Sequence, residues 1–164
     1  IKMAIWQFNM HIISKEIVDS QVGKIPASIE PELVDELLSW GMSNNISDGS
    51  QKKISHYLAP ADSWSKKIKQ FGNSDETCLE LFFDNGVVEE IALRIDLRSV
   101  TKDLLNVVID FCSENNGVLL VEQRKIIEPN LESIMKEIKV SKAFSFIKNP
   151  ENFICNISEI DVFS

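Results

Sequence analysis

Asp-Asn-Gly-Val-Val-Glu-Glu-Ile-Ala-Leu-Arg-Ile-Asp-Leu-Arg, residues 84–98, is the stretch around which the rest of the chain is organised. Asn85-Gly86 stands between an apolar run, Leu79 to Phe83, and an alternating run. Asn-Gly is the pair that best tolerates two consecutive positive φ angles, so the pattern predicts a β-hairpin with a tight turn. Past the turn, Ile91, Leu93, Ile95 and Leu97 fall on one face, and Glu90, Ala92, Arg94, Asp96 and Arg98 on the other. Such a strand has one side on a core and the other toward water or a partner. Arg94, Asp96 and Arg98 project side by side, about 7 Å apart for an i, i+2 pair. Two uses are open to that row: gripping an anionic or mixed-charge partner, or forming salt bridges, each worth about 0–1 kcal/mol when exposed.

Before the hairpin, Met3 to Ile13 alternates as a strand of the same sheet, with Trp6, Phe8, Met10 and Ile12 on one side. Lys15 to Ala27 reads as turn-like. An amphipathic helix follows over residues 29–38, with proline in its first turn and Leu33, Val34, Leu37 and Leu38 at helical spacing, ending at Gly41. Met42 to Lys53 is rich in Ser, Asn, Asp and Gly and is expected to be a loop. Ile54 to Leu58 fits a short strand or a helical turn equally. Pro60-Ala61-Asp62-Ser63 reads as a helix start, with Trp64, Ile68 and Phe71 at i, i+4 and i+7, Lys66, Lys67 and Lys69 outward, and Gly72 as its stop.

After the hairpin the spacing predicts a helix over 101–115, capped by Ser99 or Thr101, and a second small hairpin over 118–127. Asn130 should cap a further helix holding Leu131, Ile134, Met135 and Ile138. Ser141 should cap a short one, broken by Asn149-Pro150. Phe153 to Phe163 keeps no single period and is a last strand or a packed tail. The fold class expected is α+β: a single domain over 3–164, with Met3 the expected natural start and an antiparallel-rich sheet carrying helices on one face.

Length and composition agree with one self-sufficient core. The chain has 164 residues, 44% of them apolar and 26% charged. Its 25 acidic and 17 basic side chains give a formal charge of −8, which opposes non-specific binding to nucleic acid and favours a basic partner. Cys78, Cys112 and Cys155 are odd in number and widely spaced, which predicts reduced core thiols and a reducing compartment. No basic-then-apolar leader and no apolar run of roughly 18 residues is present, so a cytoplasmic location off the membrane is expected. Asn45-Ile46-Ser47 and Asn156-Ile157-Ser158 are then chance glycosylation matches.

No phosphate loop, His-Glu-x-x-His, Cys-x-x-Cys or Gly-x-Ser-x-Gly elbow occurs. His11 stands on a strand with no second ligand nearby. His56, next to Tyr57 and near Asp62 and Ser63, is the nearest approach to a triad, at ordinary spacing for a loop junction. No catalytic residue, metal or cofactor is expected.

Met-Ala-Ile-Trp-Gln-Phe at 3–8, Ser63-Trp64-Ser65, the hairpin ending Arg-Ile-Asp-Leu-Arg, Ile127-Glu128-Pro129-Asn130, Ser141-Lys142-Ala143 and Asn149-Pro150-Glu151-Asn152-Phe153 are spread over most of the chain. In these the chain resembles small bacterial proteins encoded beside polymorphic toxins and taken to be immunity proteins, including those of contact-dependent growth inhibition. The resemblance implies a cytosolic, non-enzymatic antidote that binds one cognate toxin domain, often a nuclease. Nucleases carry basic clefts, and an acidic protein is steered to such a cleft. The expected docking residues are Glu30, Glu32, Asp35 and Glu36 first, and Asp75 and Glu76 second. A small-molecule or adaptor module using Arg94, Asp96 and Arg98 is the alternative.

Overall fold

The computed structural model describes residues 3–24, 28–40 and 45–147. Gly41, the Asn149-Pro150 break, the 153–163 segment, Cys155 and the 156–158 sequon lie outside them. Within the described residues the hairpin is present as β4 (Cys78–Asp84) and β5 (Val87–Asp96). Asn85 (φ 50°) and Gly86 (φ 79°) take the two left-handed positions that the turn demands. Leu81 faces Ile91 and Leu79 faces Leu93, with the register shifting between Phe82 and Phe83. Ile91, Leu93, Ile95 and Leu97 are fully buried, as their alternation requires.

β1 (Gln7–Ser14) pairs antiparallel with β5 on one side. On its other side it pairs with β6 (Gly117–Val121). It starts later than the alternation suggested, because Met3 and Ile5 are exposed and find no neighbouring strand. With β2 (Pro60–Ala61), β3 (Ile68–Gly72) and β7 (Lys125–Ile127), the sheet has seven strands in the order β2-β3-β4-β5-β1-β6-β7. Every pairing is antiparallel, which makes this a single α+β domain.

The helices are α1 (Lys15–Gln21), α2 (Pro31–Leu38), α3 (Asp48–Ser55), α4 (Lys102–Glu114), α5 (Leu131–Lys139) and α6 (Lys142–Phe146). The main core lies between α3 to α6 and the face carrying Phe8, Met10, Ile12, Leu81, Leu93 and Leu119. Ile54, Leu105, Val108, Phe111, Ile134 and Ile138 fill it from the helical side. A smaller cluster joins Ile17, Val18 and Leu37 of α1 and α2 to Ile13, Val118, Leu120 and Ile126. These strand residues alternate with the first set, so α1 and α2 cover part of the opposite face. Cys78 and Cys112 are buried free thiols, and burial pushes Cys112 up to about 12.

Three expectations are corrected. Lys15 to Gln21 is a helix and no turn: Ser14 Oγ accepts from Ile17 N (3.3 Å), and Ile17 and Val18 are buried. In the expected loop, Ser47 Oγ accepts from Ser50 N (3.1 Å) and starts α3, which ends with Lys52 and Lys53 in its last turn. The expected helix from Pro60 is instead β2, a loop and β3. Trp64, its supposed first core residue, is 67% exposed. Ile68 and Phe71 are buried from opposite sides of a strand, a pairing that i, i+3 spacing permits as readily as a helix does. Gly72 serves as no helix stop. At φ 85° it ends β3 where a Cβ would lie 2.2 Å from the Thr77 carbonyl oxygen. Elsewhere Thr101, Asn130 and Ser141 cap α4, α5 and α6 as expected.

Candidate functional site

Three surfaces compete for function: the Arg94 row, the acidic groups, and a cleft at the β2 edge. Burial on the row is unexpected. Arg94 and Asp96 are 6% and 2% exposed, and only Arg98 reaches solvent. The reason is cross-strand pairing. Gln70, Glu80 and Ala92 stand in register across β3, β4 and β5, and Arg94 bonds back to Glu80, two residues along β4. Arg94 Nη2 also lies 3.7 Å from Cys78 Sγ. Burial raises the Cys78 thiol, an effect that the hydrogen bond from Arg94 partly offsets. Asp96 accepts Arg98 Nε (3.0 Å) and Nη2 (2.8 Å) and the Arg98 backbone N–H (2.9 Å). The Arg98 guanidinium stacks on Trp6 at 3.9 Å and is held above its usual range by Asp96. The row's charge is therefore spent within the fold. His11 likewise pairs with Glu90 (3.0 Å).

The acids are placed differently. Glu30 is the N-cap residue of α2, where its side chain makes no cap bond, and Glu32, Asp35 and Glu36 follow on the exposed side of the helix. None of the four makes an ion pair among the described residues. They are exposed because Leu33, Val34, Leu37 and Leu38 take the inner stripe. Asp75 and Glu76 lie in the turn between β3 and β4. Trp6 Nε1 donates to the Asp75 carbonyl (3.0 Å), and Gln7 Nε2 donates to the carbonyls of Ser74 (2.9 Å) and Glu76 (2.6 Å). Ile29 N donates to the Arg124 carbonyl (2.9 Å), anchoring the entry to α2 at the β6–β7 turn. Both acidic groups thus stand toward the end of the sheet at which β1 begins, on separate elements.

The supposed His56 triad does not assemble. Ser63 Oγ bonds the Ile68 carbonyl (2.9 Å) and the Ser65 carbonyl, closing the β2–β3 loop. His56 borders a hollow of about 250 Å³ beside Ser50 and Glu114. There Ser50 Oγ donates to Glu114 Oε2 (2.8 Å) and Lys53 Nζ bonds Oε1, tying α3 to the end of α4. The hydrogen bonds from Lys53 and then Ser50 hold Glu114 below the usual carboxylate range. No metal-competent group of His, Cys, Asp or Glu occurs among the described residues.

A cleft of about 720 Å³ lies between β2, the β3–β4 turn and the start of α4. Glu76 is the one expected docking residue on its wall; Tyr57, Asp62 and Gln70 join it there. A helix assigned to 60–72 hid that convergence, since only β2 pairing to β3 brings Asp62 beside Gln70. Among the described residues, no helix is long and apolar enough to cross a membrane. Set against family models, curated proteins and solved structures, the chain matches none.

Proposed function

We propose that this chain is a non-enzymatic immunity protein that binds and neutralises a cognate bacterial toxin domain in the cytoplasm, and that α2 carries the principal docking acids. The observation that supports this most is the set Glu30, Glu32, Asp35 and Glu36, exposed and without an ion pair among the described residues on a chain of net charge −8. Acids with no internal partner retain their field for an approaching basic surface. A nuclease is the toxin class that this field fits best, because the inhibitor then competes with phosphate for the same basic cleft. The alternative, ligand binding on Arg94, Asp96 and Arg98, has less support, since Glu80 and Asp96 already take up those guanidinium groups.

The test is co-purification with the toxin C-terminal domain encoded by the neighbouring upstream gene. A stable complex that abolishes toxin activity is expected. A chain with no toxin neighbour, or one that leaves that toxin fully active, would overturn the proposal.

A further inference from the structure

Asparagine followed by glycine occurs at Asn85-Gly86 and again at Asn116-Gly117. The pair is chemically reactive, because a glycine has no side chain to shield its backbone nitrogen or to restrict its rotation toward the preceding Asn side chain. Reaction requires the peptide group between the two residues to turn about the Asn Cα–C bond until the glycine N eclipses the Asn Cβ. Both asparagines are exposed, and both sit at positive φ, 50° and 52°. Exposure and backbone class therefore do not distinguish them. What holds the peptide group does.

In the β4–β5 turn, neither the Asn85 carbonyl nor the Gly86 N–H makes a hydrogen bond among the described residues. Gly86 is exposed, and a Cβ built on it would meet nothing within 4 Å. The flanking pairs, Asp84 with Val87 and Phe83 with Val88, do not use that peptide group. It can flip toward the II′ class of two-residue turn, whose first central residue has ψ of about −120°, while the strands stay paired. That ψ is the one that closes a five-membered ring from Gly86 N to Asn85 Cγ. At the other pair the peptide group is clamped. The Asn116 carbonyl accepts Lys15 N (3.0 Å), and Gly117 stands buried opposite Ser14, the N-cap of α1. A Cβ on Gly117 would lie 2.8 Å from Ile12 Cγ2 and 3.4 Å from the Trp40 ring. Turning that group means opening the end of the β1–β6 ladder, a local unfolding.

We propose that Asn85 is a self-modifying site, at which the folded protein converts an amide to a carboxylate, and that Asn116 is protected from the same change. Gly86 N loses its proton and attacks Asn85 Cγ. The new C–N bond forms as the bond to the side-chain nitrogen breaks, and ammonia leaves with the proton, giving a succinimide. Water then opens either ring carbonyl, yielding aspartate or isoaspartate at position 85. Each event adds one negative charge, and isoaspartate also lengthens the backbone of a turn that has only two central residues.

The test ages the full chain folded and, in parallel, unfolded in guanidinium chloride at the same mildly alkaline pH. Peptides spanning each pair are followed by mass spectrometry, with isoaspartate labelled by a protein isoaspartyl methyltransferase. In the folded chain Asn85 should be lost roughly tenfold or more faster than Asn116, because reaction at Asn116 carries the added cost of local opening. In the unfolded chain the two should react at similar rates, and isoaspartate should appear at position 85 in both samples. Equal rates in the folded chain, an Asn85 that stays intact while folded but reacts when unfolded, or a preference for Asn85 that persists unchanged in guanidinium would each overturn the site. No toxin is present, so none of these outcomes bears on the immunity proposal.

Discussion

Arg94 carries a full charge into a part of the sheet where its side chain is 8% exposed and its partner Glu80 is 4% exposed. Such a pair contributes little net stability over an apolar substitute, yet removing one member strands the other. Glu80→Gln or Arg94→Met alone should therefore cost about 3–5 kcal/mol in urea unfolding, while Glu80→Leu combined with Arg94→Met should recover most of it. The pair is not fully satisfied, since Glu80 Oε2 and Arg94 Nε have no hydrogen-bond partner among the described residues. Glu114 gives a pH-dependent case. Its folded-state pKa is lowered by Lys53 and Ser50, so its contribution is complete above the ordinary glutamate value and is lost as pH falls through the lowered one. Thermal unfolding midpoints should show wild type losing its advantage over Glu114→Gln across that acidic window. A constant difference at all pH values would contradict the assignment.

At the scale of elements, two glycines with positive φ separate local strain from collision. A Cβ on Gly86 would meet nothing within 4 Å, so Gly86→Ala should cost only the left-handed penalty, about 1–2 kcal/mol. A Cβ on Gly72 would strike backbone at 2.2 Å, so Gly72→Ala should be clearly worse by the same chemical denaturation. Comparable losses would mean that the β3–β4 turn yields. The sequence reading succeeded where period and punctuation agreed, as in the Asn85-Gly86 hairpin and in the helices begun by Thr101, Asn130 and Ser141. It failed where elements are short. Helix α1 has seven residues and buries only Ile17 and Val18, too few to establish a period. Between Pro60 and Gly72, a proline and a serine that begin helices elsewhere here begin an edge strand and close a loop.

For the whole molecule, the candidate acids were legible because helical spacing alone exposes one face of α2. The cleft was not, because Tyr57, Asp62, Gln70 and Glu76 converge only through long-range strand pairing. The burial of Arg94 was hidden for the same reason: Glu80 lies 14 residues away in sequence, across the hairpin. Charge steering makes the functional claim quantitative, since it acts on the association rate and fades with salt. The direct measurement is stopped-flow association with the neighbouring toxin domain, comparing wild type with E32K/D35K at low and high ionic strength. Slowed association at low salt, a difference that shrinks at high salt and an unchanged unfolding midpoint are predicted; association equal to wild type at low salt would contradict docking through α2.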